Sequence, residues 1–271
     1  MSNFLLEGCS ALITGASAGI GSEFARQLAS RASSLVLVAR RQERLEELRD
    51  ELTKLNPNLR VHLRATDLSD DRAVTELFGW LEREKVPIDL LINNAGLGDV
   101  GPFSTGEVPR VKEMLTVNVT ALTLLTRLLL PGMIAQRRGA ILNVSSSAGF
   151  LPIAGFAVYA ATKAYVTSFS EAIRAELHGT GVTVTSLCPG PVPTEFTQVA
   201  ARRGAKPDRS PEFVRVSAEE AARAGLAAIE HDRPLVIPGF IMKLGMFLVR
   251  IMPLSILRLA SRLSAKSLQD V

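Results

Sequence analysis

The clearest candidates for chemistry in the chain are Tyr159 and Lys163, four positions apart, and Ser146, thirteen residues before the tyrosine. Residues i and i+4 of a helix share one face, so the lysine ammonium is expected to lie near the phenol. A free tyrosine is a poor base because its pKa is about 10, and a nearby cation favours phenolate. The spacing predicts a general acid/base acting on a hydroxyl or carbonyl oxygen. The alternative is a surface helix whose lysine extends toward solvent.

A dinucleotide site is predicted near the start of the chain. The apolar run Ala11–Ile13 precedes the glycine-rich stretch Thr14–Gly21, and apolar residues at helical spacing follow. Strand, tight turn and helix in this order let a pyrophosphate approach the backbone and the first amides of the helix. A tight turn without a ligand is the alternative. The predicted cofactor contacts in the turn are Gly15, Ser17, Gly19, Ile20 and Gly21.

The second predicted strand, Leu35–Ala39, runs into Arg40 and Arg41. In NAD-binding units an acidic residue here binds the ribose hydroxyl, whereas a nearby arginine accommodates a 2′-phosphate. The chain has no acid at this point, and the Ser17 hydroxyl is a further possible donor, so Arg40 predicts NADP rather than NAD. Alternatively, the two arginines only open the solvated helix predicted over 42–55.

Two further strand ends carry polar residues. Asp67 follows the predicted strand Val61–Ala65 and is expected to accept from the adenine amino group. Alternatively, Asp67 or Ser69 caps a helix predicted over 70–84, and the two roles can coexist. The strand predicted over 88–92 ends in Asn-Asn-Ala-Gly, whose residue types suit a loop beside the cofactor ribose. The predicted contacts in that loop are Asn94, Ala95 and Gly96.

Asn118 lies in the middle of a long helix predicted over roughly 109–136. Asparagine forms helices poorly because its side chain competes for backbone hydrogen bonds. We expect a local kink here that frees a carbonyl to hold a water molecule. A capped or interfacial amide is the alternative.

The strand predicted over Ala140–Val144 ends in three serines, residues 145–147. Hydroxyls at the carboxyl end of a parallel strand face the crevice where ligands bind. The loop over 149–156 is apolar and is expected to line a pocket beside the chemistry. The predicted substrate contacts are Phe103, Phe150, Leu151 and Phe156.

Another strand, Val182–Leu187, is followed by a proline-rich stretch over 188–194. Prolines fix the chain beyond the strand end. Backbone groups and a hydroxyl in this stretch are expected to hold the nicotinamide carboxamide. The predicted contacts are Pro189, Gly190, Val192 and Thr194.

The sequence of the last third of the chain predicts a lid, a helix, a short strand and a tail. Residues 195–216 carry many basic side chains and are expected to form a mobile lid. A capping box at 217–220 opens a helix ending near 230, and a short strand follows at 235–238. The tail, 240–271, is predicted to form basic amphipathic helices. They could lie on a membrane surface, cover an oligomer interface, or pack on the body and roof the cleft.

Composition bounds these hypotheses. The 271 residues are 47% hydrophobic with a net charge of +4, which suits one large α/β domain with a tail. No basic patch interleaved with aromatic residues is present, so nucleic-acid binding is not expected. Two cysteines and three histidines without ligand spacing indicate no metal site. We expect a cytoplasmic protein, because no signal peptide and no apolar run of 18 residues appear.

Taken together, these motifs resemble the short-chain dehydrogenase/reductase family over about residues 8–238. The resemblance implies an α/β, Rossmann-type, doubly wound parallel sheet of seven strands in the order 3-2-1-4-5-6-7, flanked by helices. A dinucleotide-binding catalytic domain would span 1–239, followed by the C-terminal helical extension. The chain also looks like the DltE-like, NADP-dependent branch, and is similar to hydroxysteroid and 3-oxoacyl reductases. The motifs carrying the resemblance are Thr14–Gly21, Asn93–Gly96, Asn118, Ser146, Tyr159 with Lys163, and Pro189-Gly190 with Thr194.

The resemblance also implies a catalytic tetrad of Ser146, Tyr159, Lys163 and Asn118. Ser146 would fix a carbonyl oxygen, Tyr159 would supply the proton, and Lys163 would lower the tyrosine pKa and bind the nicotinamide ribose. Asn118 would position a relay water. The expected reaction is hydride transfer between NADP(H) and an apolar carbonyl or alcohol.

Two functional alternatives remain open: a membrane-associated lipid or 3-oxoacyl reductase, and a non-catalytic NADP-sensing protein. In the family, the Asn118 and Tyr159 helices pack subunits together, which implies a homodimer or homotetramer. Small side chains on the predicted Tyr159 helix permit the same packing between subunits in this protein. They are Ala160, Ala161, Ala164 and Ser168.

Overall fold

The computed structural model describes residues 4–202, 211–253, 255–259 and 261–262. Within these residues, seven parallel strands form one sheet. They are β1 Ser10–Thr14, β2 Ser34–Ala39, β3 Arg60–Ala65, β4 Leu90–Asn93, β5 Gly139–Val144, β6 Val182–Leu187 and β7 Leu235–Val236.

The spatial order is β3-β2-β1-β4-β5-β6-β7, which confirms the predicted doubly wound sheet. Leu12 of β1 pairs with Val36 of β2 on one side and with Leu91 of β4 on the other. The chain order reverses between β1 and β4. A crevice opens at the carboxyl ends of the strands at such a switch point, and ligands of open α/β sheets bind there.

The α-helices up to residue 251 lie mostly between the strands. Some short 3₁₀ turns accompany them. The helices are α1 Gly19–Leu28, α2 Gln42–Leu55, α3 Ala73–Arg83, α4 Val108–Leu115, α5 Leu122–Ala135, α6 Ala157–Glu176, α7 Glu195–Ala200, α8 Ala218–Glu230 and α9 Phe240–Ile251.

Alternate strand residues point into two helix layers, as the two-residue period of a strand requires. Ile13 lies in the layer with Phe24 of α1 and Leu226 of α8. Leu12 lies in the opposite layer with Leu77 of α3 and with α4, α5 and α6. The strands are therefore buried on both faces, which accounts for their nearly continuous apolar sequences.

The long helix predicted around Asn118 is interrupted. Helices α4 and α5 are joined by a single π-helical stretch, Thr116–Ala121, with Asn118 inside it. Such bulges break the regular i→i+4 ladder and often occur at functional sites. In the described part of the chain, the combined helix Val108–Ala135 is the one helix whose length and hydropathy would suffice to cross a membrane. Its inner side packs on the sheet through residues such as Leu125.

Two element boundaries differ from the sequence prediction. Helix α3 begins at Ala73 rather than at residue 70 because two aspartates form local turns before it. Asp67 accepts from the Ser69 amide at 3.0 Å, and Asp70 accepts from the Arg72 amide at 2.9 Å. Strand β4 begins at Leu90 rather than at residue 88. The Asp89 carboxylate accepts from the Ser10 amide at 2.7 Å, so a side-chain contact fixes the residue just before the strand.

The C-terminal elements largely follow the prediction. Ser217 Oγ accepts from the Glu220 amide at 3.0 Å and opens α8, which ends at Glu230 as predicted. Strand β7 is shorter than expected. After α9 the chain is helical again over 255–259 and 261–262. The end of the predicted tail, 263–271, lies outside the described residues.

Candidate active site

Helix α6 carries Tyr159 and Lys163 on one face, as the four-residue spacing predicts. The Lys163 Nζ lies 5.7 Å from the centroid of the Tyr159 ring, and both side chains are buried. The ammonium also donates a hydrogen bond to the Val144 carbonyl oxygen at 2.8 Å. The end of β5 therefore fixes the lysine beneath the phenol.

Burial controls the acidity of both groups. It raises the pKa of Tyr159 to about 12, and a hydrogen bond with Ser146 opposes the rise. Burial lowers the pKa of Lys163 to about 8. Burial disfavours the charged phenolate, which is why the tyrosine pKa rises. The lowering of the tyrosine pKa by the lysine stays a prediction.

The three serines after β5 have different partners. The Ser146 hydroxyl is hydrogen-bonded to Tyr159 and accepts from the Ala148 amide at 3.1 Å. The Ser145 hydroxyl donates to the Lys163 carbonyl oxygen at 2.8 Å and thus holds the backbone of α6. The geometry brings Ser146 to the tyrosine, where the sequence placed it by spacing. Its catalytic role stays a prediction.

Asn118 lies behind the site rather than on its surface, and its side chain is almost fully buried. Its Oδ1 accepts from the Leu97 amide at 2.7 Å, and its Nδ2 donates to the Leu97 carbonyl oxygen at 2.9 Å. The same Nδ2 donates to Thr162 Oγ1 at 3.0 Å, and the Thr162 hydroxyl donates to the Tyr159 carbonyl oxygen at 2.7 Å. The side chain therefore positions the Leu97 loop and α6. The relay water stays a prediction.

A cleft of about 740 Å³ opens above these residues, at the switch point of the sheet. Most of the predicted cofactor contacts line it together with Ser146, Tyr159 and Lys163. The predicted cofactor contacts on its wall are Gly15, Gly19, Ile20, Arg40, Asn94, Ala95, Gly96, Pro189, Gly190, Val192 and Thr194.

The glycine turn is shaped by both conformation and packing. Gly15 and Gly19 have positive φ values of 66° and 57°, which other residues rarely adopt. A Cβ on Gly21 would fall 2.2 Å from the Gly15 carbonyl oxygen. Gly21 does not line the cleft but is required for this close packing, and its cofactor contact stays a prediction. No side chain caps the amino end of α1 after Ala18, which leaves its first amides available to an anion.

The Asn94 loop is anchored to the same turn. Thr14 Oγ1 accepts from the Asn94 and Ala95 amides, each at 3.0 Å. The Asn94 side-chain amide donates to the Thr14 carbonyl oxygen at 2.9 Å. Asn94 therefore holds the turn with its side chain, and the residue also lines the cleft.

Basic side chains gather at the end of the cleft beyond β2. Arg40 is half exposed and lies 3.3 Å from Glu113. Arg41 Nη2 lies 3.5 Å from Ser17 Oγ and 2.7 Å from Glu195. Ser17 borders an adjoining hollow of about 380 Å³. Arg41 lines neither the cleft nor this hollow, but its contacts with Ser17 and Glu195 place it beside both.

Asp67 does not line the cleft. Its side chain is exposed, and Oδ1 accepts from both the amide and the hydroxyl of Ser69, at 3.0 and 2.8 Å. These contacts form a local turn ahead of α3, whose amino end has no side-chain cap, so the alternative of a helix cap at Asp67 is wrong. The contact with adenine stays a prediction.

The substrate end of the cleft corrects two predicted contacts. Leu151 and Phe156 line it, but Phe103 and Phe150 do not. Phe103 lies in an exposed 3₁₀ turn. Phe150 packs beneath Arg250 of α9, whose Cζ lies 5.1 Å from the centroid of the Phe150 ring. Both phenylalanines lie in loops or short turns, so the sheet does not fix their positions. Residue types at strand ends therefore could not predict them. Ile153 also lines the cleft, as predicted for the loop over 149–156. Lining residues that the sequence argument did not single out include Leu97, Val100, Phe196 and Val199.

Aromatic rings surround the tyrosine. Phe156 stacks on Tyr159 with ring centroids 4.3 Å apart, and Phe196 lies 5.5 Å away on α7. The Thr194 hydroxyl accepts from the Phe196 amide at 3.3 Å and begins that helix. The capping pattern at Thr194 was the signal that could have placed Phe196 over the site.

Helix α7 is tied down across the cleft. The Val100 amide donates to the Ala200 carbonyl oxygen at 2.9 Å, and Arg202 forms two hydrogen bonds with Asp99 at 2.8 and 2.6 Å. Arg202 holds the pKa of that carboxyl below its usual value. The first part of the predicted lid thus covers the cleft. Residues 203–210 of the lid lie outside the described residues.

Comparison with known proteins agrees with this geometry. The family model described as short chain dehydrogenase matches residues 10–204. The chain is 41% identical over 190 residues to the NADP-dependent 3-hydroxy acid dehydrogenase YdfG of Escherichia coli (strain K12), covering 69% of this chain and 75% of that protein.

Solved structures share the fold over nearly the whole domain. A short-chain dehydrogenase from Sphingobium yanoikuyae in complex with NADPH has a TM-score of 0.78 and 31% identity, covering 90% of this chain and 96% of that one. The bulky-bulky ketone specific alcohol dehydrogenase from Comamonas testosteroni has a TM-score of 0.73 and 27% identity, covering 90% and 95%.

Proposed function

The chain is a member of the short-chain dehydrogenase family, and we propose that it is an NADP(H)-dependent oxidoreductase acting on an apolar ketone or aldehyde and the corresponding alcohol. The observation that carries this proposal is one continuous cleft. It joins the glycine turn and Arg40 at one end to Ser146, Tyr159 and Lys163 at the other.

The residues present fit NADP. The uncapped amino end of α1 and the glycine turn suit a pyrophosphate, and Arg40, Arg41 and Ser17 suit a 2′-phosphate. Thr194 and the backbone around Gly190 would hold the nicotinamide end. When bound, the cofactor supplies the hydride that a carbonyl carbon accepts, or takes it from an alcohol.

The chain's own residues manage the proton and the oxygen. Ser146 donates a hydrogen bond to the substrate oxygen and fixes its position beside Tyr159. The phenol donates its proton to that oxygen in reduction, and its pKa of about 12 keeps it protonated beforehand. Lys163, with a pKa near 8, can exchange protons with its surroundings close to neutral pH. The same groups act in reverse when an alcohol is oxidised.

The cleft wall favours a neutral, apolar substrate. Around the tyrosine it presents apolar side chains, including Leu97, Ile153, Phe156 and Phe196. Among the described lining residues, the charged side chains are Arg40, Lys163 and Glu195. Of these, Arg40 and Glu195 belong to the 2′-phosphate end and Lys163 lies beneath the tyrosine. A carboxylate at the substrate end would therefore lie against apolar groups, at a cost in desolvation.

A substrate panel tests this proposal. NADPH consumption should be fastest with bulky aryl or alkyl ketones, and slower with 3-oxo acids of similar size. Faster turnover of the acids would refute the apolar substrate class. Tight NADPH binding without turnover of any carbonyl or alcohol would favour the non-catalytic NADP-sensing protein instead.

We also propose a cytoplasmic homodimer or homotetramer. The outer sides of α4, α5 and α6 expose Leu115, Leu124 and Tyr165. Ala161, Ala164 and Ser168 are exposed on α6, as an interface requires. Ala160 is buried inside the subunit and does not belong to this surface. Cys9 and Cys188 are free and buried, which suits a reducing compartment.

A further inference from the structure

The outer side of α9 carries a continuous row of exposed apolar side chains, which we call the α9 stripe. Phe240 is 82% exposed and Phe247 is 60% exposed. Phe240, Leu244, Phe247 and Ile251 stand three or four residues apart, and so do Ile241, Leu244, Leu248 and Ile251. All six therefore share one side of the helix. Its members are Phe240, Ile241, Leu244, Phe247, Leu248 and Ile251.

The inner side of α9 already packs on the domain. Met246 is buried, and Met242 lies so close to Gly190 that a Cβ there would meet its methyl group at 2.7 Å. The stripe is therefore not the helix side used for folding. Monomeric soluble proteins rarely leave a large contiguous apolar surface exposed, and such a surface usually marks a binding site.

Charge indicates what covers the stripe. The basic residues of 240–262 are Lys243, Arg250, Arg258 and Arg262, and no acidic residue occurs in this segment. Lys243 and Arg250 stand seven residues apart along one flank of the stripe. Two copies of the chain placed stripe to stripe would bring like charges together, whereas anionic headgroups would neutralise them.

We propose that the α9 stripe docks the protein on an anionic lipid surface. The apolar side chains enter the boundary between headgroups and acyl chains, while the basic residues remain among the phosphates. The exposed residues Ile256 and Leu259, next to Arg258, extend the same combination of apolar and basic groups beyond Pro253. Docking of this kind needs no catalytic activity.

The stripe lies next to the mouth of the cleft. Arg250 packs over Phe150, and the Ser261 hydroxyl bonds the Pro152 carbonyl oxygen. Leu151 and Ile153, which line the cleft, are the sequence neighbours of the two contacted residues, Phe150 and Pro152. A docked molecule would hold the cleft close to the lipid, where an apolar substrate concentrates. This consequence rests on the proposed substrate class, whereas docking itself does not.

Vesicle flotation of the full chain tests the docking. The protein should float with vesicles of phosphatidylcholine mixed with phosphatidylglycerol, and far less with phosphatidylcholine alone. Added salt should weaken the binding because exposed charges are screened. Absence of flotation with the anionic vesicles, from protein that still binds NADPH, would overturn the proposal.

Two pairs of variants locate the contact. Phe247→Ser should weaken binding to anionic vesicles by about tenfold or more, because a large apolar side chain is lost from the lipid contact. Lys243→Glu should weaken it by more than about fivefold, because the change removes a positive charge from the anionic surface and adds a negative one. The matched controls, Leu55→Ser and Lys54→Glu, change exposed residues of α2 and should bind vesicles as the wild type does.

Sedimentation without lipid distinguishes the other possible occupant. If a second copy covers the stripe, Phe247→Ser will lower the molecular mass of the assembly and vesicle binding will not depend on Phe247. That result would overturn lipid docking. An unchanged mass together with lost flotation would support it. NADPH titration of each variant separates failure of docking from failure of the cofactor site.

Discussion

At the scale of single residues, the candidate site depends on a buried ammonium. Lys163 is only 4% exposed, and its neighbours include the Val144 carbonyl oxygen. Its lowered pKa means that the folded protein binds its proton less readily than the unfolded chain does. Burial therefore destabilises the fold when the lysine is charged, and this penalty is fully present below about pH 8.

Replacing this lysine should separate stability from function. Lys163→Met should raise the free energy of unfolding by about 1–3 kcal/mol at pH 7 and abolish turnover, because it removes the desolvation penalty together with the ammonium. Urea unfolding at several pH values measures the effect.

The pH dependence of the free energy of unfolding tests whether burial of Lys163 is destabilising. Between pH 8 and 10.5 the unfolded chain binds more protons at this residue, so wild-type stability should rise with pH. The advantage of the variant should shrink over the same range. A variant less stable than the wild type at pH 7 would show that the hydrogen bond to Val144 outweighs desolvation.

A second residue-scale prediction concerns Arg41. If it contacts the 2′-phosphate, Arg41→Ala should weaken NADPH binding by about tenfold and leave NADH binding unchanged. Arg40→Ala should act in the same direction. Glu195→Gln should strengthen NADPH binding, because the Glu195 carboxylate pairs with Arg41 and competes with the 2′-phosphate for it. Fluorescence titration measures all three.

The exposed Arg72 provides a control for the loss of one positive charge. Arg72→Ala should leave both titrations unchanged. Equal losses of NADPH and NADH binding in Arg41→Ala would contradict a role specific to the 2′-phosphate.

At the scale of elements, the π-helical stretch is joined to α6 through one hydroxyl. Thr162 accepts from Asn118 and donates to the Tyr159 carbonyl oxygen. Asn118 in turn clamps the Leu97 loop at the cleft wall. Three elements that contribute to the site are therefore connected by hydrogen bonds from buried side chains.

Thr162→Val should break this connection without a change in side-chain shape. We expect a loss of about 1–3 kcal/mol in stability, since the Asn118 amide loses a buried partner. The turnover number should fall while the KM for NADPH changes little, because the change shifts Tyr159 rather than the cofactor groove.

Thr53 provides a matched control, because its hydroxyl also bonds the backbone of its own helix, at 2.9 Å. Thr53→Val lies on α2, away from the site, and should leave turnover unchanged. Unaltered turnover in Thr162→Val as well would contradict the positioning role.

Element prediction from sequence succeeded where the apolar pattern decides. The limits of α2 and β6 were correct because each is a periodic run with clear ends. The irregularity at Asn118 was expected, but a π-helical stretch could not be specified, since its form depends on contacts with Leu97 and Thr162. The start of α3 was wrong because local turns at Asp67 and Asp70 compete with the helix.

At the scale of the whole molecule, subunit packing should depend on the small residues of α6. Ala164 is exposed, and Tyr165 beside it is 39% exposed. If this surface forms the interface, Ala164→Arg should lower the molecular mass in sedimentation equilibrium, because the new side chain is bulky and charged. The result would support the proposed homodimer or homotetramer.

Helix α8 supplies the control, since Ala227 is exposed on another side of the molecule. Ala227→Arg should leave the mass unchanged. If Ala164→Arg also leaves an oligomer intact, the subunits assemble through a different surface.

The strand order was predictable through the resemblance to the short-chain dehydrogenase/reductase family. The cofactor end of the cleft was predictable because glycines, asparagines and serines at strand ends meet at one edge of a parallel sheet. The substrate end was less predictable. Phe103 and Phe150 were misplaced, while Phe196 was missed, because loop and helix packing rather than strand register positions them. The α9 stripe also required the structure, since sequence alone could not tell its inner side from its outer side.

The central claim is that Tyr159 supplies the proton in an NADP(H)-dependent reaction. The most direct test measures NADPH consumption with a bulky ketone by Tyr159→Phe, beside NADPH binding by fluorescence. Tyr165→Phe, on the same helix, is the matched control. The account predicts that Tyr159→Phe lowers turnover by about 10²–10⁴-fold with unchanged NADPH binding, while Tyr165→Phe behaves as the wild type. Wild-type turnover by Tyr159→Phe would contradict it.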